Sequence, residues 1–418
     1  MPRALARART AALVAALTAT TALLAACSTA PMPTPTPTPT LTPSGDGVLR
    51  IGTLFPTSGN VAFIAPAQVA GVNAAIREIN AAGGVKGAPV EVLNRDSGDA
   101  GTQKAEESFA DLVSKGVDVV IGPSSSVLAE RLLPKMVEAD VPFISPAATY
   151  PQLTAADTAG LFFRTVPSYE HQGVVLADLL ASGDATAVAL VYRDDDLGRA
   201  LLTEFETALE GSDVTLTAVK VGSSADAAAI AGQVKEAAPG IVVLATPDNG
   251  DQTKALITQL SGAGFGGAKL WLTSQNVADY SQALPANLLT GVNGILEGVD
   301  VDDAFKARIK QEDPQVANFR YAAEAYDATI LAALAAVQIG DDAGVSVAAA
   351  LREASVGGIK CTSFAECLDV LTTQPDIDYD GITGAIRWDE AGDRVTATYG
   401  LYAYNGENKF ALTGSRTG

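Results

Sequence analysis

Histidine is almost missing from this 418-residue chain, which holds His171 and no other. Ser-His-Asp catalysis would have to run through that one residue, and no Gly-x-Ser-x-Gly elbow occurs. Cysteine is nearly as scarce, with only Cys27, Cys361 and Cys367. The last two have no histidine near them in sequence, which argues against a metal role. Basic residues are outnumbered 28 to 48, for a formal charge of −20. Such a surface repels phosphate backbones, so no nucleic-acid partner is expected. The N-terminal apolar run from Ala11 to Ala26 falls short of the ~20 residues that a spanning helix needs.

What is present starts with that run. Arg3, Arg7 and Arg9 precede it, and Leu24-Ala25-Ala26-Cys27 closes it. A basic start, a short apolar stretch and small residues at the cut make a secretory signal. The closing four residues resemble the bacterial lipoprotein signal, whose cysteine is lipidated and becomes the mature N-terminus. The alternative is a plain secretory signal from which Cys27 is lost. Residues 1–26 are read as signal and 27–47 as lipidated cysteine plus a Thr/Pro-rich stalk. Its PMPTPTPTPTLTP segment favours polyproline II and at ~3.1 Å per residue reaches about 40 Å from a membrane. Losing the signal's three arginines takes the formal charge from −20 to −23. In an oxidising compartment, the spacing of Cys361 and Cys367 suggests a local disulfide, with two free thiols as the alternative.

The remaining ~370 residues are too many for one ordinary core and predict two domains. Apolar β-type runs alternate with amphipathic helical stretches. Strands are expected at Val48–Phe55, Val90–Leu93, Val117–Ile121 and Val141–Ser145, with helices between them. After Arg164 the rhythm restarts, with strands at Ala187–Tyr192, Val214–Val221, Ile241–Ala245 and Leu270–Thr273. Strands separated by helices of this length imply βαβ units and parallel sheets covered on both faces. A long helix, Phe319–Ile339, and a β-rich tail, Ala385–Phe410, must return to those sheets. The fold class is therefore α/β, two doubly wound parallel-sheet lobes with a cleft between them. His171 follows the break between the two runs and reads as a surface or hinge-adjacent residue.

Two apparent motifs fail on context. Gly262, Gly264 and Gly267 fit G-x-G-x-x-G, but a helix precedes them and a strand follows, so they read as a helix stop and loop. Asp376, Asp378, Asp380 and Gly381 open like a calcium loop, yet Arg387 stands where the bidentate glutamate belongs. More informative is Gly122-Pro123-Ser124-Ser125-Ser126, where a buried strand gives way to a helix start. Exposed N–H groups there favour an anion, and serine hydroxyls add donors. Alone, the serines read better as helix caps. Ile144-Ser145-Pro146-Ala147-Ala148-Thr149 ends a neighbouring strand in the same polar way. Ligands of open α/β sheets gather at the carboxyl ends of strands, so the pair makes a site for a small carboxylate.

From about Val48 to Phe410 the chain resembles the leucine/isoleucine/valine-binding family, the type I periplasmic solute receptors of ABC importers. The likeness is carried by Phe55-Pro56-Thr57-Ser58-Gly59, by Glu78-Ile79-Asn80-Ala81-Ala82-Gly83-Gly84-Val85 and by Val120-Ile121-Gly122-Pro123. It continues through Ile144 to Thr149, Tyr321-Ala322-Ala323-Glu324-Ala325-Tyr326-Asp327-Ala328 and Tyr379-Asp380-Gly381-Ile382-Thr383-Gly384. The resemblance implies two lobes, 48–168 plus 300–395 and 169–299 plus 396–413. Hinge crossings are placed near Pro167–Tyr169, Val299–Val301 and Arg394–Thr396.

The same resemblance implies a small-molecule solute and ABC permease partners, with no cofactor and a monomer expected; the missing catalytic motifs argue against an enzyme, and the lipoprotein-type signal implies attachment to the outer face of the bacterial membrane through Cys27. The family's head-group serine falls on Ser126, beside Ser124 and Ser125, its backbone contact on Ala147 and its hydroxyl contact on Thr149. The position that usually supplies an acid for the ammonium falls on Gln275, and a usual aromatic on Pro247. Asp248 is adjacent and could replace the missing charge, or be a solvated loop acid. Leu197 stands at another position that is often aromatic, while Tyr321 and Phe63 are read as apolar walls. The expected solute is a branched-chain or other apolar amino acid, with amide, urea-like or carboxylate solutes as alternatives. A sensor ectodomain acting through a separate partner and a hydrolase are the rival classes.

Overall fold

The structure is a computed structural model that describes residues 44–418 except 184, 247 and 299. The signal, Cys27 and the Thr/Pro run lie outside the described residues, as do Pro247 and Val299. The first half runs β1 (Arg50–Phe55), α1 (Ala65–Ala81), β2 (Glu91–Asp96), α2 (Lys104–Ser114), β3 (Val119–Ile121), α3 (Ser126–Ala139), β4 (Phe143–Ser145) and β5 (Phe162–Arg164). These five strands form one sheet in the order β2-β1-β3-β4-β5, with every pair parallel. β3, β4 and β5 are buried throughout, as parallel strands covered on both faces must be.

The chain then crosses to a second body. It contains α4 (His171–Ala181), β6 (Ala187–Arg193), α5 (Asp196–Ala208), β7 (Thr215–Val221), α6 (Ala227–Ala237), β8 (Ile241–Ala245), α7 (Asp251–Leu260), β9 (Leu270–Leu272) and β10 (Asn293–Glu297). After β10 it returns to the first body with α8 (Asp303–Glu312), α9 (Ala322–Ile339), α10 (Gly344–Ala350), β11 (Ile359–Cys361), α11 (Phe364–Leu371), β12 (Ile377–Gly381) and β13 (Gly384–Ala385). A third crossing leads to β14 (Thr398–Tyr404) and β15 (Phe410–Thr417). The second sheet has the order β15-β14-β10-β9-β8-β6-β7, parallel except for antiparallel β14 and β15.

The expected tail, Ala385–Phe410, starts in β13 and runs through β14 to the first residue of β15, and three shorter strands at or before its start stand apart. Its last strands complete the second sheet, while β11, β12 and β13 form a small sheet of their own on the first body. Gly262 and Gly264 follow the end of α7, where Gly264 adopts φ +96°, and the chain turns rather than cradling a phosphate. Asp378 and Asp380 of the rejected calcium motif pair with Lys360. Cys361 and Cys367 are joined, with Cα atoms 5.2 Å apart and both residues buried.

The first core packs α1 against α9, whose alanines let the helices approach closely. A side chain at Gly71 would lie 2.3 Å from the Ala322 carbonyl, so only glycine fits there. Among the described residues, α9 is the one helix long and apolar enough to cross a membrane, and it is buried as this core's central helix. Asp341 and Asp342, just past α9, accept the N–H groups of Ser44, Gly45 and Gly47, so the start of the described chain is pinned to the first body.

The crossings are tied together by two arginines. Arg164 Nε and Nη2 donate to Asp393 at 2.5 and 2.7 Å, with the guanidinium wholly buried. Arg394 donates to the carbonyls of Thr165, Thr383, Ala385 and Thr396. Both join the first and third crossings by direct bonds.

Candidate functional site

Between the two bodies lies a cavity of about 1010 Å³. Phe63, Ser124, Ser125, Ser126, Ala147, Thr149, Asp248, Gln275 and Tyr321 all line it. The structure thus gathers every site residue expected from the sequence, apart from Cys27 and the two disulfide cysteines, around one space. Leu197 packs instead into the second body's core.

The wall from the first body is built on the ends of β3 and β4. The three serines have different tasks. Ser124 Oγ donates to the buried Gln68 Oε1 at 2.5 Å and is turned toward α1. Ser125 caps α3, its Oγ accepting from Leu128 N. Ser126 Oγ accepts from the N–H groups of Thr149 and Tyr150 at 2.9 and 3.2 Å. Those two donors fill the hydroxyl's lone pairs, so its O–H is left to donate. The first turn of α3 also has N–H groups without intrahelical partners and the positive end of the helix dipole. This wall is neutral and donor-rich.

Four hydrogen bonds fix it in place. Ser145 Oγ accepts from Ala147 N and Ala148 N, which turns the chain after β4. Arg164 Nη1 donates to the carbonyls of Ala148 and Tyr150, on either side of Thr149. Thr149 is thereby set on the cavity wall beside Ser126.

The wall from the second body carries charge. Asp248 is exposed and its Oδ1 accepts from Gly250 N at 2.9 Å, the ordinary behaviour of a turn acid. Gln275 sits half-buried at the rim. The carboxylate that sequence reasoning missed is Glu297, the last residue of β10 and only 8 % exposed. Its Oε1 accepts from Tyr321 Oη at 2.8 Å and from Arg320 Nη2 at 3.0 Å. Burial pushes its carboxyl up, but the Arg320 guanidinium and the Tyr321 hydroxyl outweigh that and hold it below the usual glutamate range. Glu324 also lines the cavity and has no cation on it; burial, aided by Asp327 and Glu297, pushes it up to about 7.

Tyr321 is therefore more than the apolar wall expected. It forms a small buried cluster with Ala147 and Val166 while its hydroxyl donates to Glu297, and its backbone is left-handed at φ 62°. That conformation is unfavourable for a bulky residue and is kept where the surroundings over-determine it. Phe63, on the short turn before α1, is 64 % exposed at the cavity mouth. Glu297 had a readable signal: Ile295-Leu296-Glu297-Gly298 is a third apolar run ending in a polar residue. Gly294 shortens that run and hides the strand.

Comparison with known proteins places this geometry. A family model described as periplasmic binding protein matches residues 48–404. The chain belongs to the periplasmic binding protein family. Among its relatives, the leucine-, isoleucine-, valine-, threonine- and alanine-binding protein of Pseudomonas aeruginosa is 29 % identical over 73 % of this chain and 82 % of its own length. The substrate-binding protein BasB, of a chemotactic signal transduction system in Halobacterium salinarum, is 26 % identical over 83 % of this chain and 84 % of its own. A crystal structure of the branched-chain amino acid transporter substrate-binding protein LivJ from Streptococcus pneumoniae, in complex with isoleucine, superposes with a TM-score of 0.63 at 21 % identity. It covers 89 % of this chain and 99 % of that one, and shows the fold: two doubly wound lobes with a three-crossing hinge, the type I arrangement. As a family member, the chain is a solute-binding protein of extracytoplasmic type.

Proposed function

We propose that this protein is the lipid-anchored receptor of an ABC importer and captures an apolar amino acid, a branched-chain one foremost, by closing its two lobes. The observation that carries the reading is the opposition of the two walls. Ser126 and Thr149 present hydroxyl donors on one side, and carboxylates stand across the same cavity on the other. A zwitterion needs donors for its carboxylate and an acid for its ammonium. Phe63 and Tyr321 add apolar surface for a hydrocarbon side chain. The anchor rests on Leu24-Ala25-Ala26-Cys27 and the Thr/Pro run.

The test is a thermal-shift screen of protein lacking the signal and stalk against the amino acids, amides and small carboxylates. A ligand at 100 times its Kd adds ~2.7 kcal/mol of stability. L-leucine, L-isoleucine or L-valine should raise the melting temperature most. If none of them does so, the amino-acid reading is lost.

A second reading is chemoreception, favoured by the similarity to BasB over most of both chains. Uptake of the radiolabelled solute by a strain lacking the gene separates the two. Transport predicts lost uptake, whereas sensing alone predicts uptake unchanged and taxis lost.

A further inference from the structure

Resting on the amino-acid reading above, we propose that Glu297, rather than Asp248 or Gln275, is the acid that receives the solute's ammonium. An anchor for a cation must be ionised, fixed in direction and close to the groups that hold the attached carboxylate. Glu297 meets each condition in the geometry.

It stands at the carboxyl end of β10, a strand hydrogen-bonded to β9 on one side and β14 on the other, so its backbone does not drift. Its side chain is gripped through Oε1 by Tyr321 and Arg320, both carried by the first body. Tyr321 shares a small buried apolar cluster with Ala147, the residue two before Thr149 on the head-group wall. Tyr321 thus links the Glu297 carboxylate to the cluster at the β4 strand end. The α-carboxylate and α-ammonium of an amino acid share one carbon, so their two binding groups must be this near. Arg320 keeps the acid ionised without closing it off, because its own side chain is about one-third exposed.

Asp248 is the weaker candidate on orientation and burial. It belongs to an exposed loop, a single turn N–H from Gly250 orients its Oδ1, and water screens it. Gln275 carries no charge. A buried, oriented carboxylate is the stronger partner for an ammonium, since charge-assisted bonds gain most away from solvent.

The experiment is calorimetric titration of L-leucine and of 4-methylpentanoate, which is leucine without its ammonium, into wild type, E297Q, E297D and D248N. E297Q should lose at least ~tenfold in affinity for L-leucine, the scale of one charge-assisted bond. The loss should be confined to L-leucine, smaller in E297D, and larger in E297Q than in D248N. Three results overturn the assignment: E297Q binding L-leucine as wild type does, D248N losing more than E297Q, or both ligands weakening by the same factor. Should E297Q fail to fold, E297D against D248N decides by the same ligand contrast. Wild type that binds 4-methylpentanoate but none of L-leucine, L-isoleucine and L-valine removes the amino-acid reading, and this assignment with it. L-leucine bound alike by wild type and E297Q removes the assignment alone.

Discussion

Two arginine–carboxylate pairs sit near the hinge, and they are built differently. Arg164 and Asp393 are both buried, joined by two bonds, and the remaining guanidinium donors reach Ala148, Tyr150 and Thr154. Arg320 and Glu297 share one direct bond, the arginine reaches solvent, and its buried Nε has no partner. A pair whose donors are all spent is a fastener. A pair left incomplete at a cavity wall keeps electrostatic capacity for a guest. The same residue types thus do structural work in one place and stand ready for chemistry in the other, and exposure of the cation is what separates them.

The largest test of that contrast is D393N. It strands the Arg164 guanidinium, which is wholly buried, and a buried charge left without its partner costs about 3–5 kcal/mol. Chemical denaturation should show a drop of that order. Because Arg164 also holds the carbonyls flanking Thr149, solute affinity of the surviving protein should fall too. A D393N variant as stable as wild type would remove the fastener reading.

Next in size is S126A. It deletes a hydroxyl donor and releases the N–H groups of Thr149 and Tyr150. Hydrogen bonds to charged groups contribute about 1.5–3 kcal/mol, so titration with L-leucine should show a tenfold to hundredfold loss. Since the wall is neutral, the loss should barely change between low and high salt. T149A should lose comparably, and unchanged affinity in both would clear the head-group assignment from this wall.

The neutral wall was legible in the sequence and the charged one was not. Ser126 and Thr149 announce themselves because each lies just past an uninterrupted apolar strand, and local order alone brings β3 and β4 side by side. Ile241–Ala245 could be read to the residue for the same reason. The family motifs were legible too, and the structure shows why they travel together: Asp327 accepts from Tyr379, Ile382 and Thr383, uniting two of them. Glu297 had only a shortened strand to mark it, and its partners Arg320 and Tyr321 lie more than twenty residues away across a hinge crossing. Arg164 and Asp393 are 229 apart in sequence, and nothing local marks either one. Pairings across separate passes of the chain are decided by packing, which periodicity does not encode.

Glu324 gives a smaller, pH-dependent test. It lines the cavity without the cation that Glu297 has, and burial raises it to about 7. Its unfolded value is lower, so between about pH 4.5 and 7 the unfolded chain releases this proton first. Stability from this group is thus lost as pH rises through that window, and the full penalty stands above it. E324Q removes the titration and should be more stable than wild type at pH 8, by on the order of 1 kcal/mol. The gain should vanish below pH 4.5. An advantage that persists in acid would show that packing, not ionisation, is responsible.

The smallest expected effect is the one that sharpens the contrast most. E297Q makes the same edit as D393N, in the pair that reaches the cavity. Gln keeps an oxygen that can accept from Tyr321 Oη, and the freed Arg320 can turn toward water because its side chain is already about one-third exposed. No charge is stranded, so the loss should resemble that of a solvent-reached pair, below about 1 kcal/mol. Stability and binding then separate: D393N should weaken both, and E297Q should weaken leucine binding almost alone. Equal melting losses in the two variants would mean that Arg320 is held as firmly as Arg164. The incomplete pair would then be a second fastener, and the cavity would have lost its reserved charge.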